Sequence, residues 1–412
     1  MTENLVLKRD RAEITFETGT FYFEGPVAGR VRSAVFIGRG KFRAAVPDSP
    51  FEKEHVRRML KADLVESDFQ TAVLRFSDDT FDAIGKGASS GAATSNAAEL
   101  AREFEPRFLK ETGANLSARL ALSILNREEP GFFVAQFDKG KRDRFTLLLD
   151  HQGRIATTTF GINGGEKALI VAYRNALGGN DVWMAVFSEQ DYARGRVSYS
   201  DAFDLVDITH YKMDADVREP KKRLAVQARI DMESLADGVR AIPLAVSESL
   251  PDYESMRLKR AMRLKSAGLT GGAALDAVQE DWEGGLTLYL PKVLAKGEKL
   301  SVTVMLEGDF MFDSPDIAQC YYPLSSGEWY PRHGYLDRAT FDISFRHQKP
   351  FLVAGVGRRV HEGALDNNDK ERLTQWKMEE PVALVTFGVG RFERHEETAT
   401  QGDQRVPVEL YS

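Results

Sequence analysis

Cys320-Tyr-Tyr-Pro-Leu-Ser-Ser-Gly-Glu-Trp-Tyr-Pro-Arg-His-Gly-Tyr-Leu-Asp-Arg-Ala-Thr-Phe-Asp-Ile-Ser-Phe345 is the stretch on which the fold turns. Trp329-Tyr330-Pro331 reads as a corner, a short polar loop follows, and Ala339 to Phe345 alternates with the period of a strand. Downstream, Phe351-Leu-Val-Ala-Gly-Val-Gly357, Trp376-Lys-Met378 and Ala383-Leu-Val-Thr-Phe-Gly-Val-Gly-Arg-Phe392 continue the β pattern. Upstream, Phe203 to Met213 and Arg223-Leu-Ala-Val-Gln-Ala-Arg-Ile-Asp231 open it, so one β-rich module is predicted over residues 199–412.

Residues 1–198 read as a second β-rich module with helices set into it. Phe21 to Gly38 places β-branched and aromatic residues between glycines, as a β-meander does. Pro50 opens a short helix to about residue 61, with Glu52 and Glu54 early and Arg57, Arg58 and Lys61 late, in keeping with the helix dipole. Leu100, Phe104 and Phe108 recur every four residues after Asn96 and Glu99, which reads as a capped helix near 96–110. Leu116, Leu120 and Ile124 predict another over 116–125. Five strand-like runs follow between Phe132 and Phe187, one of them Ile155 to Phe160, and their regular spacing predicts a second antiparallel sheet set. A polar stretch from Arg194 to Asp201 marks the boundary. The fold class predicted is therefore mainly β: two β-rich modules, the first with a helical insertion, the second a saddle-like β-sandwich.

Composition bounds function. The 412 residues carry a formal charge of −7, with 42% hydrophobic and 28% charged residues. That is the balance of a folded chain with a sizeable core, and it argues against a general nucleic-acid binder, which needs a basic surface to displace counterions. A single cysteine, Cys320, excludes an internal disulfide and any cysteine-based zinc cluster. No apolar run of signal-peptide or membrane-spanning length occurs, so the chain as written is expected to be soluble and cytoplasmic, or periplasmic or secreted if a leader has been removed. The oligomeric state is not legible.

The order of these elements resembles the saddle-shaped N-terminal domain of aminopeptidase N family zinc peptidases. His210-Tyr-Lys-Met-Asp214, Ile242-Pro-Leu-Ala-Val246, Val278 to Pro291, Gly297 to Val304, Gly308-Asp-Phe310 and the Trp329-Tyr330-Pro331 corner carry the resemblance over about residues 200–395. The chain departs from the family at Arg332-His333-Gly334, where relatives commonly show Asp-Glu-Pro. In the family a catalytic domain with a His-Glu-x-x-His helix comes next, whereas this chain stops at Ser412. The resemblance thus implies a truncated, non-catalytic region that would shape the cleft of a zinc aminopeptidase. The partner would be a peptide N-terminus and zinc would belong to the missing domain. Gln319 resembles by position the glutamine that reaches the substrate in active members.

No catalytic residue and no metal ligand is predicted within the chain. The seven histidines are His55, His151, His210, His333, His347, His361 and His395, and none pairs at the i, i+4 spacing a gluzincin helix needs. His361-Glu362 begins the motif, but position 365 is Leu. His333 and His347 flank one strand and could meet across a hairpin, though no third ligand has a suggestive spacing. The alternative to the peptidase reading is a free-standing β-sandwich binding protein for a peptide, glycan or protein, with Tyr321, Tyr322, Trp329 and Tyr330 as its contact surface.

Overall fold

The computed structural model describes residues 2–86, 95–112, 115–140, 143–153, 166–173, 180–198, 205–246, 250–251, 259–279, 285–323, 328–333, 337–365, 368–401 and 404–412. The chain divides into two compact units, Met1–Phe203 and Asp204–Ser412. Both are dominated by strands. Among the described residues no helix is long and apolar enough to cross a membrane.

The first unit runs β1 (Thr2–Arg9), β2 (Ala12–Phe23), β3 (Ser33–Ala44), α1 (Pro50–Leu60), β4 (Val65–Phe76), α2 (Thr80–Ile84), α3 (Ser95–Thr112) and α4 (Leu116–Leu125). It continues through β5 (Phe133–Asp138), β6 (Arg144–Leu149), β7 (Ala168–Tyr173), β8 (Asn180–Val186) and α5 (Glu189–Ala193). All eight strands form one sheet in chain order, each antiparallel to the next. This corrects the expectation of two sheet sets: β5 pairs directly with β4, Ala72 opposite Phe137. The predicted strand from Ile155 to Phe160 lies outside the described residues.

Side-chain alternation explains why these strands read as almost continuously apolar. Phe36, Leu74, Ala135 and Leu147 face one buried cluster, and their neighbours Val35, Val73, Val134 and Leu148 face another. α3 and α4 cover the second face with Phe104, Phe108, Leu116 and Leu120. The first face is filled by rings: Phe16, Phe36, Phe69, Phe137 and Phe145 form a chain of contacts between 4.7 and 6.0 Å. Gly40 is what lets a ring lie flat on β3, since a Cβ there would come within 2.3 Å of Phe69. The sheet curls strongly. Arg9 at the end of β1 reaches Asp78 and Asp79 beyond β4, each at 2.8 Å, while Asp10 accepts from the Glu189 N–H of α5 at 2.7 Å.

The second unit opens with β9 (Val206–Asp216), β10 (Leu224–Ser234), β11 (Val239–Ala245), β12 (Leu250–Pro251), β13 (Lys259–Leu269), β14 (Asp276–Gln279), β15 (Gly285–Leu294) and β16 (Lys299–Asp309). There follow β17 (Met311–Asp313), β18 (Cys320–Pro323), β19 (Ala339–Gln348), β20 (Leu352–Ala354), β21 (Arg358–Leu365), β22 (Asn368–Val382), β23 (Gly388–Gly390), β24 (Arg394–Gln401) and β25 (Gln404–Tyr411). The main sheet has eight strands in the order β12-β13-β16-β10-β9-β19-β22-β21. Within it β9 and β19 form a parallel pair, in which Thr340 lies opposite His210. A three-stranded sheet (β11-β15-β14) and a four-stranded one (β17-β18-β23-β20) accompany it, and one buried cluster draws on all three sheets. β24 and β25 form a separate hairpin.

Candidate functional site

The corner after β18 is built as a joint. Trp329 and Tyr330 are each 1% exposed and packed edge-on at 4.9 Å. The Trp329 indole donates to the Val385 carbonyl at 3.0 Å, and Phe387 closes its other side at 5.0 Å. Val385 N–H donates to the Tyr330 hydroxyl at 3.3 Å. From β9, Tyr211 donates its hydroxyl to the Pro331 carbonyl at 3.0 Å and stacks on Phe341 of β19 at 4.9 Å. Arg332 then exchanges both backbone hydrogen bonds with Ala245 at the end of β11, at 2.7 and 2.9 Å. Corner, β9, β11 and β19 are thereby fastened together, with the Trp329 indole N–H and the Tyr211 and Tyr330 hydroxyls all partnered, as burial requires. Burial pushes the Tyr330 hydroxyl up to about 12 and that of Tyr211 well above its ordinary value.

This arrangement corrects the proposed contact surface. Tyr321, Trp329 and Tyr330 lie in the core, and only Tyr322 of the four is part-exposed, against Phe312 at 6.5 Å. Trp329 and Tyr330 are held there by their bonds to Val385, and Tyr321 packs edge-on against Phe351 at 6.3 Å. Gln319 is different. It is exposed at the tip of the turn before β18 and has a left-handed backbone with φ of 57°. Cys320 beside it is buried, and burial, then the charge of Asp313, push its thiol up, away from the thiolate form.

Behind the corner lies a polar pocket that sequence reasoning saw only in part. Tyr211, Tyr330, Arg332, His333, Asp337 and Ala383 line a cavity of ≈ 10 Å³, about the room one water needs. His333 is 6% exposed, with Nδ1 3.4 Å from a carboxylate oxygen of Asp337, and the Ile208 N–H donates to that same oxygen at 3.3 Å. Burial first, then the negative charge of Asp337 and a hydrogen bond with it, push the Asp207 carboxyl up. A His beside two carboxyl groups resembles general-base machinery, but the cavity has room for about one water, and among the described residues no Ser, Thr, Cys or Lys side chain lines it. Among the described residues no group of three or more His, Cys, Asp and Glu side chains is placed to hold a metal.

The other histidine ideas resolve by position. His347 stands at the far end of β19 from His333, so the two do not converge. It is fully buried, with Nε2 2.8 Å from Thr374 Oγ1 and Nδ1 3.0 Å from the Gln348 carbonyl, and burial lowers its pKa. His361 and Glu362 lie in strand β21, where successive side chains point to opposite faces and cannot form a zinc helix.

The first unit holds a polar constellation of its own that the sequence analysis passed over. Arg119 of α4, 3% exposed, grips Asp150 through Nε at 3.0 Å and Nη2 at 2.7 Å, and also Glu128 at 2.6 Å. The two carboxylates raise the Arg119 pKa against the burial that would lower it. Next to Asp150, burial lowers the pKa of His151, opposed by Asp10, Asp150 and Asp191 and reinforced by Lys167. The signal was present: Arg119 falls between Leu116 and Leu120 on the apolar side of its helix, where a charge needs a buried partner.

No protein-family model matches the chain, and no curated protein matches it. Among solved structures it is similar to an M1 zinc metallopeptidase from Deinococcus radiodurans, with 19% identity and a TM-score of 0.40, over 50% of this chain and 47% of that one. A mutant of that metallopeptidase bound to a Tyr-Ser-Ala substrate gives 18% identity and a TM-score of 0.39 over the same shares. A two-domain M1 zinc metallopeptidase mutant bound to L-arginine gives 18% and 0.39. The match thus spans about half the length of those chains. Likeness at that level assigns neither family nor activity.

Proposed function

We propose that residues 204–412 act as the non-catalytic β-domain of an aminopeptidase N-type zinc metallopeptidase-like protein, shaping the substrate cleft of a catalytic domain supplied outside this chain. The observation that carries the reading is the division of labour around β18. The Trp329-Tyr330-Pro331 corner, which bears the sequence resemblance, is a buried joint, and Gln319 stands exposed beside it. A carboxamide there can donate to a peptide carbonyl and accept from an amine, as the grip on a substrate N-terminus requires. Zinc and its general base belong, in this reading, to the other domain.

The test is aminopeptidase activity of the full chain on aminoacyl chromogenic amides, with metal content measured on the same sample before and after zinc addition. No turnover and no stoichiometric zinc are expected. Zinc-dependent turnover that survives purification overturns the proposal. NMR titration with a tripeptide then examines Gln319: its side-chain amide signals should move with the free-amine peptide and not with the N-acetylated one, and equal or absent shifts remove Gln319 from the role.

A further inference from the structure

Among the described residues, the hairpin of β24 and β25 is tied to its unit by charged side chains and not by a ladder. The two strands form a sheet of their own. Glu393 and Ser412 exchange both backbone hydrogen bonds, at 2.8 and 3.0 Å, which sets the alternation along the hairpin. Counting from that pair, Thr398 and Pro407 form a pair without cross-strand bonds, so position 407 turns its nitrogen outward. Proline has no N–H to offer there, and the outer edge of β25 is interrupted.

What reaches the hairpin from β21 is a cluster of alternating charge. Arg359 meets Glu396 at 2.6 Å and Glu409 at 2.9 Å, while Arg394 of the hairpin meets Glu362 at 2.6 Å. Arg359 and Glu362 face each other at 3.2 Å within β21, and Arg372 of β22 approaches Glu362 at 3.6 Å. The side chains of Arg359 and Glu362 are 19% and 13% exposed, so solvent screens them less than ordinary surface pairs. Tyr411 adds one half-buried ring, packed against the unit's core cluster and against Phe392 at 5.8 Å. The outer side of β25 carries Val408 and Leu410, 46% and 62% exposed.

We propose that β24–β25 is a strap latched onto β21 by the ion pairs around Arg359 and Glu362, and released when those pairs are screened or cut. A lone two-stranded hairpin is marginal in water, so release and local melting coincide. Raising ionic strength shortens the screening length from about 10 Å at ~0.1 M salt to about 3 Å at ~1 M, within reach of the outer pairs of the cluster.

Hydrogen–deuterium exchange of the full chain, followed by mass spectrometry at low and high sodium chloride, tests the latch. Amides of residues 394–411 should exchange ~10-fold faster at high salt while those of β9 and β10 stay protected, the mark of sub-global opening. Arg359→Gln should open the strap at low salt and remove its salt response. Glu396→Gln with Glu409→Gln, which leaves β21 and β22 intact, should do the same even if the arginine variant unfolds. Tyr411→Ala should loosen the strap with its salt response retained. Exchange of 394–411 that ignores salt and is unchanged in the Glu396/Glu409 variant, or that rises only together with β9 and β10, overturns the proposal.

Discussion

The two units bury their aromatic residues in opposite ways. In residues 1–203 most of the buried rings come from successive strands of one meander and line one face of a curled sheet, with Phe104 and Phe108 of α3 on the other, and every strand meets its sequence neighbours. In residues 204–412 the rings gather at a corner whose partners are remote: β9 and β19 lie side by side although His210 and Thr340 are 130 residues apart. Repetition of local pairing makes the first unit tolerant of a lost ring but dependent on the charges that anchor its helices. Convergence makes the second depend on a few residues at one joint.

That contrast can be broken most severely at Arg119. Arg119→Met removes the ion pairs that Glu128 and Asp150 make with it at 2.6 and 2.7 Å in a site where all three side chains are buried, so the first unit should lose about 3–5 kcal/mol. Exchange-detected denaturation should locate the loss in residues 1–203 and leave β9, β10 and β19 unchanged. An effect below ~1 kcal/mol would mean the network is wetter than its burial indicates.

Trp329→Ala is the matching break in the second unit. It empties a fully buried ring site and removes the bond to Val385, for an expected loss of about 3–5 kcal/mol. Phe16→Ala in the meander should cost less than Trp329→Ala, because neighbouring rings on the same face can close in. Equal costs, measured by chemical denaturation of both variants, would erase the distinction between repeated and convergent packing.

Titration should separate the units next. The Tyr330 pKa is about 12 in the fold, against an ordinary value of 10.0. Below about pH 10 both states keep the proton and the contribution is whole; as pH rises from about 10 towards 12 the unfolded chain ionises first, and about 2–3 kcal/mol is lost. Tyr330→Phe should remove that share of the alkaline slope. His151 works in the other direction, since burial favours its neutral form. Its contribution is present above the ordinary histidine pKa near 6.5 and is lost as pH falls from there through the lowered folded value. The gap between wild type and His151→Gln should therefore shift in favour of the variant between about pH 7 and pH 5, with exchange changes confined to residues 1–203.

The smallest expected effect is at Gln319. Gln319→Gly relieves a left-handed backbone and should be neutral or stabilising by up to about 1 kcal/mol, whereas Gln319→Ala keeps the strain. Thermal melts of the pair give the difference directly.

How much of this was legible follows from the range of each interaction. α1 was readable because its signals are local: Pro50 and Glu52 lie in the first turn and Arg57 and Arg58 in the last. The Phe104 and Phe108 stripe was readable for the same reason, and both rings are buried. The single sheet of the first unit was not, because turn spacing does not say whether β5 continues an old sheet or starts a new one. At the corner, aromatic residues that suit a binding surface suit a core equally well, and only the hydroxyl and indole bonds to Pro331 and Val385 decide between them.

By itself the sequence determined the strand-rich class, the positions of the helices with strong periodicity and the absence of a His-Glu-x-x-His motif, all properties of residues a few places apart. Tertiary structure alone decided that Trp329 and Tyr330 are core, that His333 meets Asp337 and not His347, and that Arg119 shares its charge with Asp150 and Glu128. Those outcomes depend on which distant groups share a desolvated space, and burial and electrostatic pairing act through space and not along the chain.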